Sequence, residues 1–385
     1  MRVLHDLNLC LLLLVVMFAV TGGSLVGPIL PEMIAPLGAT QQTVGLALSV
    51  YTLGALITTP IFGVLADRVG RKRIIVPTTL LFGIAGLLIT LTESFWLVLV
   101  YRALQGIGVG GMMNSVIVAI GDRYSGIERQ QAMGYRVTAQ GLTNAAVPFL
   151  SGALATIAWF LPFYIHSLAI AVGLLAAWKL EEPVQARPSA NYLTQALAAV
   201  LTLRAFWLFF SNFMGFFLLY CLVVYMPLFV VNELGHSTLH AGLALSVGAG
   251  VNSLVATQAG RLRRRFSEET LVLTGFLCAG IALLALGLSP TYGTMLLCFV
   301  LWGLGFGALM PTLNAAAAGL VSAELRGGVL SLFTLLIYLG QTVSPLFFAL
   351  FLKNGTVHHT FFIASGLTLL PLSLTLLVRS RQDTT

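Results

Sequence analysis

The sequence has little charge. Only 9% of its 385 residues are charged and 58% are hydrophobic, whereas soluble globular domains carry about 25% charged residues. So few charged side chains cannot cover a soluble fold with polar surface, which excludes a soluble globular protein. A net charge of +7 would on a soluble chain suggest nucleic acid as a partner. Here membrane topology explains the excess of basic residues, so no nucleic-acid partner is expected.

Cysteine is also scarce. Cys10, Cys221, Cys278 and Cys298 stand singly within apolar runs, without the paired spacing of a metal site or a disulfide framework. A membrane-embedded enzyme would need a nucleophile beside its base, or a cluster of metal ligands. The sequence contains neither pattern within its apolar runs. We therefore predict that the protein is not an enzyme and binds no cofactor or metal.

What the sequence has in abundance is apolar runs of roughly the 20 residues that span a bilayer. Twelve such runs are centred near Val16, Gly54, Ala85, Gly108, Asn144, Leu168, Phe217, Gly250, Cys278, Gly305, Gly340 and Leu370. The first run could instead be a cleavable signal peptide, but it continues past Thr21 without a small-x-small cleavage site. The runs predict an all-α membrane protein with twelve transmembrane helices, and lipid as its solvent.

Lysine and arginine are unevenly distributed among the connections between predicted spans. The even-numbered connections hold most of them, including Arg71, Arg123 and Arg264, whereas the odd-numbered connections keep only Lys353. Loops rich in these residues stay in the cytoplasm. Both chain termini are therefore predicted to be cytoplasmic.

The sequence contains an internal duplication. The hexapeptide GLALSV occurs at Gly45–Val50 and again at Gly242–Val247, and at the same offset QGIGVGGMM corresponds to WGLGFGALM. Matches that keep one register over about a hundred residues indicate a repeat. They predict two pseudo-symmetric six-helix bundles, residues 1–178 and 204–385, joined by a cytoplasmic linker, residues 179–203. Parallel repeats of this kind are a transporter architecture, with a substrate site at the midplane between halves that rock about it.

The connection between the second and third predicted spans reads GVLADRVGRKR. It resembles the signature loop of the major facilitator superfamily, Gly-x-x-x-Asp-Arg-x-Gly-Arg-Lys-Lys/Arg. Seven positions match: Gly63, Asp67, Arg68, Gly70, Arg71, Lys72 and Arg73. The resemblance implies the fold of that superfamily and a role for Asp67 as a latch between the halves that holds the outward-open state. Alternatively, the charges only enforce topology, which explains the four basic residues but not Asp67 or the glycines.

The fourth predicted span contains an arginine. The stretch YRALQGIGVGG, which holds Arg102 and Gln105, resembles the Arg-x-x-x-Gly motif of proton-coupled members of the superfamily. An intramembrane arginine is by default a functional-site hypothesis. The alternative is that backbone carbonyls satisfy Arg102 and that it serves only packing. Gln105 is a candidate for the substrate path, while Gly106 and Gly110 are better explained by close helix packing.

The fifth predicted span carries a polar stripe. Arg136, Gln140, Thr143 and Asn144 fall on one helical face, so the stripe should face a cavity or another helix rather than lipid. Further candidates for the substrate path in the second half are scattered: Asn212, Tyr220, Asn252, Asn314, Tyr338 and Gln341. Two buried arginines without a buried acid would suit a substrate or counter-ion with negative charge.

The proton carrier is the least determined part of the site. Proton-driven members of the superfamily usually place a carboxylate within the membrane, but this chain has only neutral residues from Leu7 to Pro31. Glu32 is either a solvated residue at the outer end of the first span or a proton acceptor. His166 could titrate near neutral pH, or it could be a packed and hydrogen-bonded core residue.

Together these features predict a secondary active transporter that works by alternating access and resembles the drug:proton antiporters of the superfamily. Its expected partners are a small amphiphilic or drug-like substrate, protons and the lipid bilayer. Short loops and a compact length resemble bacterial members, so the inner membrane is the expected location, and a monomer is the expected state. Two alternatives remain: a sugar or organic-anion transporter, working by efflux or symport, and a non-transporting sensor or scaffold.

Overall fold

In the computed structural model, residues 5–182, 202–289, 291–322, 326–352 and 356–382 are described. Over these ranges the chain is helical and contains no β-strand. It divides into two compact units, Met1–Pro188 and Ser189–Thr385. Most of the predicted linker, residues 183–201, and Lys353 lie outside the described residues.

The described part of the first unit, residues 5–182, has seven α-helices. They are α1 (Leu7–Ser24), α2 (Val26–Leu37), α3 (Leu46–Val69), α4 (Lys72–Ile89), α5 (Phe95–Arg123), α6 (Gly126–Ala155) and α7 (Ser167–Lys179), with a 3₁₀ helix at Leu161–His166 before α7. Only Leu25 separates α1 from α2, and its backbone is itself helical, with φ −73° and ψ −37°. Pro28 cannot donate the N–H that would bond back to the carbonyl of Ser24, which accounts for a break at this point.

The second unit repeats this order with changes. Its helices are α8 (Leu203–Leu228), α9 (Thr238–Ala256), α10 (Ala259–Arg265), α11 (Glu268–Gly287), α12 (Tyr292–Ala318), α13 (Arg326–Ala349), α14 (His358–Leu367) and α15 (Leu369–Gln382). A π-helical turn, Phe229–Glu233, follows α8 directly. The helix α3 is continuous through the signature loop's first glycine, whereas the corresponding stretch of the second unit is divided into α9 and α10.

Eleven helical segments of the described ranges are long and apolar enough to cross a membrane. They match eleven of the twelve predicted spans. The remaining predicted span corresponds to α6, which has 30 residues and is long enough, but the polar stripe that begins at Arg136 keeps its hydropathy low. The prediction of an all-α, multi-span membrane fold is confirmed.

The glycines shared by the two repeats have the same neighbours in both units. A Cβ atom on Gly108 of α5 would lie 2.8 Å from the carbonyl oxygen of Thr78 in α4. A Cβ atom on Gly305 of α12 would lie 2.8 Å from the carbonyl oxygen of Gly275 in α11. Thr78 and Gly275 correspond to each other at the offset of the duplication. The two units therefore pack these helix pairs in one register, with no room for a side chain at either glycine.

Two further glycines of α5 face α3. A Cβ atom on Gly106 would clash with the carbonyl oxygen of Tyr51, and one on Gly110 would clash with Oγ1 of Thr58. Backbones approach this closely only where side chains are absent. The four-residue spacing thus serves helix packing.

Candidate functional site

The signature loop joins α3 to α4 through a single tight turn. Gly70 follows α3 with φ of 111°, a backbone conformation that favours glycine. A Cβ atom there would lie 2.8 Å from a carboxylate oxygen of Glu182. At the other end of the motif, a Cβ atom on Gly63 would lie 3.1 Å from Nδ2 of Asn114 in α5. The positive φ therefore favours glycine at position 70, whereas a side chain at position 63 would only require the amide of Asn114 to shift.

Arg71 is the centre of the loop's ion pairs, and its side chain is only 3% exposed. Its guanidinium forms a salt bridge with Asp67, and its Nε lies 3.2 Å from Oδ2 of Asp122 at the end of α5. The backbone N–H groups of Arg71 and Lys72 donate to the carboxylate of Glu182, at 2.5 Å and 3.1 Å. A carboxylate at the N-terminus of α4 is stabilised by the helix dipole. By contrast, Arg68 and Arg73 of the motif are exposed.

Sequence reasoning missed Asp122 and Glu182. The stretches GDRY and KLEEP hold them at the ends of the fourth and sixth predicted spans. Both ends were assigned to the same side of the membrane as the signature loop. Acids placed there beside the excess of arginines were the signal that could have identified them.

A second charged cluster joins the start of α1 to the end of α5. The carboxylate of Asp6 accepts hydrogen bonds from Nε of Arg123 at 3.0 Å and from the hydroxyl of Tyr124 at 2.5 Å. Burial raises the pKa of Asp6, but the hydrogen bonds from Tyr124, Arg123 and Asn8 outweigh it and lower the pKa to about 2. Arg123 also lies 2.9 Å from Glu181. The two clusters therefore meet in the segment that follows α7.

We expect replacement of Arg71 by alanine to destabilise the first unit strongly. It leaves two carboxylates without their buried cation, and removal of one partner of a buried ion pair costs about 3–5 kcal/mol. Thermal or denaturant unfolding in detergent would measure the loss. The matched control is Arg73→Ala, because Arg73 is exposed and its Nη1 only reaches the carbonyl of Val69 at 3.4 Å. An equal loss in both variants would contradict a structural role specific to Arg71.

Arg102 is completely buried and bonded to the backbone of two other helices. Its Nη2 donates to the carbonyl of Gly22 at 2.6 Å and its Nε to the carbonyl of Ala47 at 3.0 Å. Its guanidinium also lies 4.2 Å above the ring centre of Tyr51, within the range of a cation–π interaction. Gly22 lies in the last turn of α1, where a cation is favoured by the helix dipole. These contacts correspond to the alternative in which carbonyls satisfy Arg102.

Arg102 also fixes the direction of a buried hydrogen-bond chain. Its Nη1 donates to Oε1 of Gln105 at 2.8 Å, so Nε2 of Gln105 must be the donor towards Nδ1 of His166, 3.0 Å away. In a neutral imidazole the other nitrogen then carries the proton. Nε2 of His166 is buried without a hydrogen-bond partner among the described residues. A second proton on this ring would break its bond to Gln105, which favours the packed interpretation of His166.

Arg136 has very different surroundings. Its side chain is half-buried in α6, and no atom of the described residues forms a hydrogen bond with its buried Nε. Its Nη1 lies 3.4 Å from Oε1 of Gln140, one turn further along the stripe. Within the part of the chain that the structure describes, no carboxylate lies in salt-bridge distance of it. Arg136 is therefore an intramembrane cation with unfilled hydrogen-bonding capacity.

The rest of the polar stripe lies on the same helix. Thr143 is buried and donates to the carbonyl of Ala139 at 2.8 Å, while Gln140 and Asn144 are half-buried. Leu142, on another face of α6, is 64% exposed. The stripe is thus the less exposed side of the helix, in agreement with its predicted orientation away from lipid.

The predicted residues of the second unit are spread over four helices, α8, α9, α12 and α13. Asn212 is fully buried and donates to the carbonyl of Phe333 at 2.8 Å, so it ties α8 to α13. Asn314 is exposed and donates to the carbonyl of Met310. Tyr220 is buried. The remaining candidates of this unit, Asn252, Tyr338 and Gln341, are half-buried. Glu32, which lies inside α2 of the first unit, is also half-buried.

The sequence profile of the Major Facilitator Superfamily matches residues 12–345, with a second match at residues 252–385. The chain belongs to the major facilitator superfamily. Membership makes it a multi-span membrane transporter rather than an enzyme. It also agrees with the resemblance of the signature loop.

Two relatives are similar over most of their length. The bacillibactin exporter of Bacillus subtilis (strain 168) is 25% identical over 349 residues, which cover 87% of this chain and 87% of the exporter. The quinolone resistance protein NorA of Staphylococcus aureus (strain COL) is 24% identical over 336 residues, which cover 84% of each chain. By name, one is an exporter and the other a resistance protein.

A solved structure has the same fold. The inward-facing, occupied structure of a bacterial homolog of the human lysosomal transporter Spinster aligns with a TM-score of 0.84 at 17% identity. The alignment covers 97% of this chain and 96% of that chain. At this identity the likeness shows a shared fold and nothing about function.

Proposed function

We propose that the chain is a secondary active transporter that works by alternating access and exports amphiphilic small molecules in exchange for protons. The observation that carries the proposal is the match, over more than four-fifths of the chain, to an exporter and to a drug-resistance protein. The duplicated glycine packing supports two equivalent bundles, the arrangement from which rocking transporters are built.

Arg136 favours a second candidate, transport of organic anions. A half-buried guanidinium without a carboxylate in reach is unfavourable in a membrane unless an anion or water meets it. A substrate with one acidic group and an apolar body would supply that anion and still be amphiphilic. The two candidates therefore differ in whether the negative group is required for transport.

The clusters of the first unit support the proposed orientation. Contacts bring the start of α1, the loop between α3 and α4, the end of α5 and the segment after α7 to one end of the unit. These are the ends that positive-inside topology assigns to the cytoplasm. We place both termini on the cytoplasmic side of a bacterial inner membrane, with a monomer as the working unit.

For proton exchange, Glu32 is the better of the two predicted sites. His166 can gain a proton only by breaking its bond to Gln105, whereas Glu32 is half-buried in α2 without that restriction. The role of Asp67 as a latch between the halves stays part of the proposal, and within its own unit the carboxylate forms a salt bridge with Arg71.

Accumulation of fluorescent amphiphiles in energised bacterial cells tests the proposal. A cationic, a neutral and an anionic dye are compared in cells with and without the chain. We expect expression to lower steady-state accumulation of at least one amphiphile, and a protonophore to restore it. Lower accumulation of the anionic dye alone would favour the second candidate.

Two outcomes would contradict export. Increased accumulation on expression would show uptake instead. Unchanged accumulation of all three dyes, with the chain present in the membrane, would favour a sensor or scaffold.

A further inference from the structure

An acid and a histidine meet at one end of the second unit. Glu233 ends the π-helical turn after α8, and His358 begins α14. One carboxylate oxygen of Glu233 accepts the backbone N–H of Val357 at 2.6 Å, and the other lies 2.9 Å from Nε2 of His358. Nδ1 of His358 lies 2.8 Å from the carbonyl oxygen of Gly287, the last residue of α11. Both ring nitrogens therefore face oxygen atoms.

This arrangement requires one proton more than a neutral histidine beside a carboxylate can supply. A carbonyl oxygen only accepts, so Nδ1 must carry a hydrogen. An ionised carboxylate also only accepts, so Nε2 needs a hydrogen too, and a neutral imidazole has just one. The extra proton is held either as an imidazolium beside a carboxylate or as a carboxylic acid beside a neutral ring. The carbonyl end of α11 favours the imidazolium, because cations are stabilised at helix C-termini.

We propose that Glu233 and His358 form a proton-binding site at the end of the second unit that faces outside in the proposed orientation. The His358 side chain is 36% exposed and that of Glu233 is 18% exposed, so the pair is partly exposed at this end of the unit. A residue that carries the coupling proton must be accessible from each side of the membrane in turn. This pair lies at helix ends, on one side of the unit. The site therefore senses the pH of one compartment rather than carrying the transported proton.

The bound proton holds three helix ends together. Glu233 belongs to the turn after α8, Gly287 ends α11, and His358 opens α14. The ring of Phe229 packs edge-on against the imidazole of His358, with ring centres 4.8 Å apart. This contact holds the imidazole in place beside Glu233. Loss of the proton removes one of the two hydrogen bonds of the ring and sets a lone pair against an oxygen. The end of the unit is then held less firmly.

The other ionisable groups near this end have partners of their own. His236 and His240 stack on each other and on Tyr292. Nδ1 of His359 lies 3.3 Å from the hydroxyl of Thr356. The helix α11 reaches His358 through the carbonyl oxygen of Gly287. Lys353 lies outside the described residues. In the described ranges, the carboxylate of Glu233 is the only acid in salt-bridge distance of His358.

Thermal unfolding of the full chain in lipid nanodiscs, from about pH 5 to about pH 9 across the usual range of histidine titration, tests the proposal. A group that gains partners for its protonated form stabilises the fold at low pH, and this contribution is lost as pH rises. We expect the difference in unfolding temperature between wild type and His358→Gln to be largest at the acid end and to shrink with rising pH. The matched control, His359→Gln, should follow wild type throughout.

A second measurement keeps the test independent of how well that variant folds. In protein labelled with ¹⁵N-histidine, the ring signals that vanish in His358→Gln identify this residue. Replacement of Glu233 by glutamine should change the conversion of these signals between the singly and doubly protonated forms, because it removes the acid that faces Nε2. An unchanged conversion, or a His358→Gln effect on unfolding that does not vary with pH, would overturn the proposal. Neither readout requires substrate, so both remain valid even if the proposed export fails.

Discussion

Replacement of Arg136 by glutamine should slow transport of anionic substrates at least tenfold while leaving the fold at least as stable as wild type. The guanidinium has a buried Nε without a partner and no carboxylate in salt-bridge distance among the described residues. A charge without a counter-charge in a membrane-embedded helix raises the free energy of the folded state, so its removal should not destabilise the fold. A hydrogen bond to a charged group contributes about 1.5–3 kcal/mol, so flux of an anionic substrate at low concentration should fall at least tenfold.

The measurement pairs initial rates of uptake into proteoliposomes with unfolding temperatures in detergent. Arg136→Lys is the matched control, since it keeps the charge but loses the forked geometry, and we expect it to retain part of the anion flux. A neutral amphiphile should be transported at the wild-type rate by all three proteins. Transport of the anionic substrate at the wild-type rate by Arg136→Gln would contradict the assignment of Arg136 to the substrate path.

Replacement of Arg102 by leucine should have the opposite signature, with a large loss of stability. Arg102 is fully buried and donates to the carbonyls of Gly22 and Ala47 and to the side chain of Gln105. Loss of these donors leaves buried acceptors without partners, each at about 1–3 kcal/mol, so a total loss of about 3 kcal/mol or more is expected.

Unfolding in denaturant measures this loss, and Arg102→Lys is its matched control. A lysine retains the charge, but its single ammonium cannot reach both carbonyls in the planar geometry of a guanidinium. We expect lysine to fall between leucine and wild type. If leucine were tolerated without loss of stability while transport stopped, Arg102 would act on substrate or protons rather than on packing.

The helices and the duplication were predictable because both depend on local patterns. Runs of apolar residues predicted twelve spans, and all twelve are helical in the described ranges. The matching register placed Gly108 and Gly305 in equivalent positions, but their close neighbours were not predicted. The helix α6 shows the limit of composition, because its polar stripe keeps it out of the eleven segments that are apolar enough to span.

The partners of the buried charges were not predictable from the sequence. Periodicity places Arg102 and Arg136 on helices but does not say which carbonyl or acid another helix brings beside them. From the sequence the two arginines are therefore equivalent, whereas in the structure Arg102 is bonded to carbonyls and Arg136 has no carboxylate in salt-bridge distance among the described residues. For the same reason Glu182 beside Arg71 and Glu233 beside His358 escaped notice, since each pair is joined only by the packing of distant helices.

Proton movement in proteoliposomes under an imposed pH gradient tests the central claim most directly. The purified chain is reconstituted, an amphiphilic substrate is added on one side, and a pH-sensitive dye reports protons in the lumen. We predict that substrate addition drives protons in the opposite direction, and that reversing the gradient reverses the substrate flux. Substrate flux that is the same with and without the gradient, and unaccompanied by proton movement, would contradict proton-coupled export.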